Sequence, residues 1–317
     1  MKTRRTFLKT TAQLSLGTLL LQHLSACKSG NKEMAEATKE EIKKLTLNPD
    51  APYQMDYLRG NIGYFTQRGG TIGWMADDKG LVVIDTQFPE QSQNLVNELT
   101  KITQVKMDLL INTHHHGDHT SGNPVYAAMT DRILAHENSK ANQQKVAEER
   151  NQEVVVLPTE TYTDKHSERI GDETITLHYW GPGHTDGDSV THLENTNVVH
   201  MGDLIFNRRF PYIDKSAGAN IDNWVTILDN TNKTFDNETI FIFGHAGEGH
   251  DVIGNKEDIN AFKNYLEKLL EFGQASIAAG KTAEELKESV KVIPGAEEWQ
   301  GNGIERSIDA VYEELSE

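Results

Sequence analysis

The feature that most constrains this chain is a run of histidine and aspartate that directly follows an apolar segment. Residues 113–119 read THHHGDH, and the apolar residues just before them predict a buried strand. Alternate residues of an extended chain point the same way, so His114 and His116 can bind one metal ion. Asp118 and His119 lie further along the loop and can serve a second ion. Because imidazole nitrogen and carboxylate oxygen suit zinc, the pattern predicts a zinc site at the end of a strand.

Three later residues share this context, with a ligand-type side chain beside glycine near the end of a predicted strand. They are His184 in GPGHT, Asp203 in HMGD and His245 in GHA. Taken alone, each is more typical of an ordinary loop than of a metal site. Taken with the earlier residues, they complete two sites of three ligands each and leave one carboxylate to bridge the two ions.

The rest of the chain alternates between short apolar runs and segments with helical spacing. From Tyr57 to the C-terminus we find neither a linker that would separate two domains nor a short repeat. Interleaved strands and helices are typical of an α/β architecture, with sheets packed face to face and helices outside. The predicted strands are 62–67, 71–76, 81–85, 107–112, 132–136, 154–157, 174–179, 189–193, 198–200 and 240–243. The predicted helices are 91–100, one after Asn123, 137–150, 221–231, 256–272 and two after Thr282.

Composition excludes several classes of protein. No apolar run approaches the roughly 20 residues that a bilayer span needs, which excludes a polytopic membrane protein. With 31 basic and 48 acidic residues the net charge is −17, which disfavours binding to the phosphate backbone of nucleic acids. A single cysteine excludes an internal disulfide framework and any cysteine-based zinc cluster.

The N-terminus is typical of an export signal rather than of a folded element. Arg4 and Arg5 precede Phe-Leu, as in the twin-arginine signal that serves proteins exported in folded form. The sequence LSAC that ends at Cys27 resembles a bacterial lipobox, in which the cysteine is lipidated and becomes the first residue of the mature protein. A signal with an incidental cysteine, or an amphipathic cytosolic helix, is the alternative.

These features predict three parts. Residues 1–26 form a signal peptide, residues 27–55 form a polar tether, and residues 56–317 form the folded domain. We expect the protein to be exported and to be anchored by its lipid to a bacterial membrane, where it faces the periplasm or the cell surface. Removal of the signal would take away four basic residues and no acidic one, so the mature chain would be more acidic still.

On the ligand motifs quoted above, the chain resembles the metallo-β-lactamase superfamily of hydrolases over about Tyr57 to Phe272. The resemblance implies a four-layer αββα sandwich with a dinuclear zinc site at one edge of the two sheets. Carried over position by position, it implies that the first ion is bound by His114, His116 and His184, the second by Asp118, His119 and His245, and that Asp203 bridges the two.

An aspartate at position 203 departs from the β-lactamases proper, which usually have cysteine or serine there. It resembles instead the branches of the superfamily that contain glyoxalase II, a hydroxyacylglutathione hydrolase, and the lactonases. This departure disfavours antibiotic hydrolysis as the activity of the chain.

The resemblance implies a hydrolase in which a metal-bridging hydroxide cleaves a small ester, thioester, lactone or lactam. Asp118 is the expected catalytic residue, because it can orient the hydroxide and pass a proton to the leaving group. An iron-dependent oxidoreductase similar to the persulfide dioxygenases and a non-catalytic metal-binding lipoprotein are the alternatives. We expect the protein to bind a small-molecule substrate, to contact a membrane through its N-terminal lipid and not to bind nucleic acid. The sequence leaves the oligomeric state open.

Residues near the ligands are candidates for contact with the substrate. The loop after the predicted bridging aspartate contains Arg208, Arg209 and Tyr212, which can bind a carboxylate or an oxyanion, although an ordinary surface turn is the alternative. His250 follows the last predicted ligand by five residues and can line the cleft. His115 lies between two predicted ligands, so we expect it to point away from the metal ions and to pack behind them.

Overall fold

Two mixed β-sheets carry the structure. The computed structural model describes residues 51–152 and 155–316. The predicted signal peptide, the predicted lipidation site Cys27 and most of the predicted tether therefore lie outside the described residues. Among the helices that are described, none has the length and apolar character needed to cross a bilayer.

The secondary-structure elements alternate along the chain. The strands are β1 Gln54–Arg59, β2 Ile62–Thr66, β3 Ile72–Ala76, β4 Leu81–Ile84, β5 Leu109–Ile111, β6 Ile133–His136, β7 Glu160–Tyr162, β8 Lys165–Ile170, β9 Glu173–His178, β10 Val190–Leu193, β11 Val198–His200, β12 Phe206–Asn207, β13 Ile240–Ile242, β14 His245–Ala246 and β15 Ile253–Gly254. The helices are α1 Pro89–Ile102, α2 Gly117–Thr120, α3 Asn123–Tyr126, α4 Glu137–Glu149, α5 Ile221–Thr234, α6 Lys256–Ala278, α7 Ala283–Ser289 and α8 Ile304–Glu314, with 3₁₀ turns at Gly202–Leu204 and Lys215–Ala217.

The larger sheet has seven strands in chain order, from β1 to β7. The first four strands pair antiparallel, and β4 to β7 pair parallel. The central strands are short apolar runs, LVVI in β4 and LLI in β5, and all of their residues are buried. Burial on both faces is what parallel strands beneath helices require. One face packs against α1 through Leu95 and Leu99 and against Tyr126 of α3.

The second sheet has six strands in the order β15-β13-β11-β10-β9-β8, and only the β11–β13 pair is parallel. Its outer face packs against α5 and α6 through Trp224 and Phe262, and α8 packs on α6, where Val311 lies against Gly273. The two sheets meet at Gly73, where a side chain would collide with His200 of β11. The predicted four-layer α/β sandwich is therefore confirmed.

Three differences from the predicted elements have physical reasons. The predicted strand at 154–157 is wrong, because residues 155–158 are irregular and the seventh strand lies at Glu160–Tyr162. Strand β1 begins at Gln54, inside the predicted tether, because Met55 pairs with Phe65 of β2 and is buried in the core. Strand β8 was not predicted because its sequence, KHSERI, is polar. As the edge strand of its sheet, it carries the charged side chains that protect an open edge.

The C-terminal segment returns to the loop between β12 and α5. The Phe210 amide donates to the Gln300 carbonyl over 3.1 Å, and the Gln300 amide donates to the Arg208 carbonyl over 3.2 Å. Helix α8 then begins after Gly303, whose φ of 131° lies in the region that favours glycine. These backbone contacts fix the first turn of α8 beside the edge of the sandwich where the candidate site lies.

Candidate metal centre

The structure brings the seven predicted ligands together at one edge of the two sheets. Loops and turns at strand ends supply them, so their positions are set by the hydrogen-bonded sheets behind them. The seven ligands form two groups, and within each group the ligand atoms all lie within 4.8 Å of one another. The first group is His114, His116, His184 and Asp203, and the second is Asp118, His119 and His245.

The first group is built around three imidazole rings. His116 Nδ1 lies 3.1 Å from His114 Nε2 and 2.9 Å from His184 Nε2. Asp203 Oδ2 lies 3.6 Å from His184 Nε2 and 3.9 Å from His114 Nε2. Three nitrogens and one carboxylate oxygen thus converge on a single point, which is the donor set and number that zinc prefers.

In each of these rings, the nitrogen that faces away from the centre has a hydrogen-bond partner, and this partner indicates which nitrogen faces the centre. His184 Nδ1 lies 2.6 Å from the Tyr212 carbonyl, which only accepts, so this nitrogen is the donor. Burial lowers the pKa of His184 to about 3, so the ring is neutral and Nε2 presents a lone pair. His116 Nε2 lies 2.8 Å from Asp214 Oδ2, and its other nitrogen, Nδ1, faces the centre. The nitrogens that face the centre are therefore placed to bind one cation together.

The second group is organised by carboxylates. His119 Nε2 lies 3.0 Å from Asp203 Oδ1, and His245 Nε2 lies 3.2 Å from Asp118 Oδ2 and 3.4 Å from Asp203 Oδ2. Both His119 Nε2 and Asp203 Oδ1 are buried, yet neither has a properly oriented hydrogen-bond partner in the described part of the chain. Buried polar atoms nearly always have one, so these two atoms fit a second ion.

Charge in the centre is balanced between acids and imidazoles. Burial alone would raise the pKa of Asp203, but His245 and His119 hold it well below its ordinary value. Burial alone would lower the pKa of His119, but Asp203 and Asp85 raise it well above its ordinary value. In the metal-free protein a proton on His119 therefore balances the carboxylates, and a bound metal ion would displace that proton.

Two aspartates that the sequence interpretation missed hold the rings in place. Asp85 follows β4 directly at φ 65°, and its Oδ2 lies 2.7 Å from both His119 Nδ1 and Thr113 Oγ1. Asp214 accepts from His116 and also lies 3.6 Å from His115 Nε2, so His115 contacts this outer partner while it lines the cleft beside His116. A carboxylate that follows an apolar strand was a signal for Asp85, whereas Asp214 lies in a loop with no such signal.

Two glycines make room for the ligands. A side chain at Gly70 would overlap the His119 ring, and one at Gly244 would overlap the Asp203 carboxylate. The backbone must approach the centre closely at both places, which only glycine permits.

The centre forms part of the lining of a cleft of about 1120 Å³. Tyr212 lines this cleft, with its ring centroid 5.3 Å from that of His116, and Arg209 lines it too. The structure does not place Arg208 in the cleft, because Arg208 Nη1 donates to Asp258 Oδ1 over 2.8 Å. His250 is exposed and does not line the cleft either, so the structure brings neither Arg208 nor His250 into the lining of the cleft.

Comparisons with known proteins agree on one family. Residues 65–245 match the family described as the metallo-beta-lactamase superfamily. A metallo-beta-lactamase type 2 of Elizabethkingia meningoseptica is 24% identical over 213 residues, which cover 64% of this chain and 79% of that protein.

Solved structures share the fold at low sequence identity. A metallo-beta-lactamase from Pontibacter korlensis superposes with a TM-score of 0.52 at 16% identity, covering 70% of this chain and 98% of that one. A double mutant of the sec-alkyl sulfatase PisA1 superposes with a TM-score of 0.63 at 13% identity and covers 82% of this chain. The chain spans about half the length of that sulfatase, 50%.

Proposed function

Because the chain belongs to the metallo-β-lactamase superfamily, we propose that it is a hydrolase with two zinc ions, which cleaves a small ester, thioester, lactone or lactam. The observation that carries this proposal is the position of Asp203 between the two ligand groups. Its Oδ2 faces His184 and His114 of the first group, and its Oδ1 faces His119 of the second. A shared carboxylate is what a dinuclear centre needs and what a single-ion site does not.

Two zinc ions, when bound, supply an acidified water as nucleophile and polarise the carbonyl of the substrate. The chain's own contribution is to fix the ligands. His119 is held by Asp85, His116 by Asp214 and His184 by the Tyr212 carbonyl. Such outer contacts set which ring nitrogen faces the metal and keep the ring from turning.

Asp118 is the residue that we assign to proton transfer. Its side chain is 31% exposed and lines the cleft, whereas Asp203 is only 5% exposed. Although burial opposes ionisation, His119 and His245 hold the pKa of Asp118 below its ordinary value. Asp118 is therefore ionised at neutral pH, so it can accept a proton and then pass it to the leaving group at the open side of the centre.

The test is turnover on a panel of lactones, thioesters, simple esters and β-lactams, with the protein as purified, after chelation and after zinc is restored. β-Lactams belong in the panel because the Elizabethkingia relative is named a metallo-beta-lactamase. We expect hydrolysis that chelation abolishes and zinc restores. The Asp118→Asn variant should lose most of its turnover, and its metal content is measured beside it because Asp118 is also a predicted ligand. Asp172→Asn, at an exposed aspartate, is the matched control.

Hydrolysis that survives complete metal removal would overturn this proposal. Oxygen consumption with a persulfide substrate, together with no hydrolysis, would establish the iron-dependent dioxygenase instead. Tight metal binding with neither activity would leave the non-catalytic metal-binding lipoprotein.

We also propose that the protein is exported and anchored to a membrane through a lipid on Cys27. Arg4 and Arg5 and the LSAC motif support this proposal, and all of them lie outside the described residues. The Cys27→Ser variant should leave the membrane fraction and stay active, because no residue of the metal centre is a cysteine. A variant that stays with the membranes, and a parent protein whose N-terminal peptide carries no lipid, would contradict it.

A further inference from the structure

The rim of the cleft is basic although the chain as a whole is strongly acidic. The chain has 48 acidic and 31 basic residues. Outside the metal centre and its partner Asp214, however, the lining of the cleft contains one acidic residue, Glu149, and five basic ones, namely Arg68, Lys145, Arg150, Arg209 and Arg306. A cleft with locally reversed charge concentrates anions near its mouth.

The arginines of the rim are not engaged by carboxylates. Within residues 51–152 and 155–316, none of the four forms an ion pair. Arg306 lies over the Tyr212 ring, with its Cζ 5.2 Å from the ring centroid. Arg132, which lies away from the cleft, instead contacts both Glu160 and Glu168. The guanidinium groups at the rim therefore keep their donors available for a ligand.

Arg306 is placed within reach of the metal centre by the fold. It lies in the first turn of α8, which the backbone bonds of Gln300 fix beside the cleft. Tyr212 contacts Arg306 on one side and the candidate ligand His116 on the other. Arg150 lines the same cleft as Arg306 and Tyr212. A single aromatic ring thus separates the basic rim from the metal ligands.

The lining of the cleft also has apolar members. Phe88, Pro124, Val146 and Val156 all line it. A molecule that fills the cleft can therefore bury an apolar body while it presents a charged group to the arginines.

We propose that Arg306, Arg209 and Arg150 form an anion subsite, and that the substrate carries a carboxylate or another oxyanionic group besides its scissile bond. The scissile bond in this inference rests on the proposed hydrolase function, whereas the binding of an anion by the arginines does not depend on it. The guanidinium group suits the task because it stays charged at all working pH values and offers paired donors to planar oxyanions. Arg306 lies outside residues 65–245, so the subsite adds a specificity element from beyond the matched part of the chain.

The test compares two esters of the same length. One is the mono-4-nitrophenyl ester of glutarate, and the other is 4-nitrophenyl pentanoate, in which a methyl group replaces the carboxylate. We expect a higher kcat/KM for the charged ester, and the ratio between the two should fall about tenfold in Arg306→Ala, mainly through KM. Arg306→Lys should restore part of the ratio, and added salt should lower it.

Arg169→Ala is the matched control, since Arg169 is an exposed arginine whose polar contacts within the described residues are with the surface aspartate Asp172 and the Gly171 carbonyl. It should keep the ratio of the parent protein. Melting temperatures of all variants establish that they are folded, which we expect because Arg306 is exposed.

Calorimetric binding of glutarate separates this inference from the hydrolase proposal. If both esters are cleaved with a ratio that Arg306→Ala leaves unchanged, the hydrolase proposal stands and the anion subsite is overturned. If neither ester is cleaved, the subsite stands only when glutarate binds the parent protein and Arg306→Ala weakens that binding about tenfold. Equal binding by the two proteins would overturn it.

Discussion

The floor and the rim of the cleft are built in opposite ways. The floor consists of histidines and aspartates that are buried or partly buried, and most of its rings have a second partner that fixes their orientation, such as Asp85 for His119. The rim consists of exposed arginines without carboxylate partners in the described parts of the chain, such as Arg209 and Arg306.

The difference separates two tasks. A centre whose rings are held by outer hydrogen bonds keeps one geometry, which is what the activation of water requires. Exposed cations with free donors can adapt to a ligand, so they suit recognition. We therefore expect substitutions in the floor to change turnover, and substitutions in the rim to change which substrate binds.

The largest effect should come from the carboxylate between the two ligand groups. Asp203→Ala should lower kcat by more than about 100-fold. Loss of a metal ligand should lower activity more than loss of the hydrogen-bond partner of a ligand does. The measurement is kcat together with metal content. Unchanged turnover with two ions still bound would mean that Asp203 is not a ligand.

A smaller effect should follow from a change behind the floor. Asp85→Asn keeps the shape and tolerates the positive φ of this position, but it can no longer accept from both His119 and Thr113 as a charged group. We expect zinc affinity to fall about 10- to 100-fold. Asp172→Asn is the control at an exposed aspartate, and equal affinities in the two variants would show that Asp85 does not support the centre.

The smallest effects distinguish two adjacent arginines. Arg208 contacts Asp258 and lies 5.5 Å from the centroid of the Trp299 ring, so Arg208→Ala should cost about 1 kcal/mol and lower the melting temperature by about 2–4 °C. Arg209 lines the cleft without an ion pair in the described residues, so Arg209→Ala should leave the melting temperature unchanged and raise KM for the charged ester severalfold. The reverse pattern would contradict the assignment of Arg209 to the rim.

The floor was predictable from the sequence to a greater extent than the rim. Its predicted ligands are rare residue types beside glycine at strand ends, and the sheets bring such positions to one edge, as with His184 and His245. The rim is assembled from residues far apart in the chain, Arg150 and Arg306 among them, and nothing distinguishes these from other basic residues before the chain is folded.

Local backbone geometry explains why Arg209 lines the cleft and Arg208 does not. Arg208 has a φ of 53°, which turns its side chain towards α6 and Asp258, and this leaves the neighbouring arginine to line the cleft. The polar edge strand β8 could not be predicted because its own residues lack an apolar pattern. Pairing with β9, rather than an apolar pattern in its own residues, makes Lys165–Ile170 a strand.

The most direct test of the dinuclear centre is elemental analysis of the purified full-length protein. The two ligand groups and the carboxylate that they share predict about two metal equivalents per chain, mostly zinc. Asp203→Ala measured beside the parent should retain less metal. One equivalent of iron without zinc, or no retained metal in a folded protein, would contradict the account.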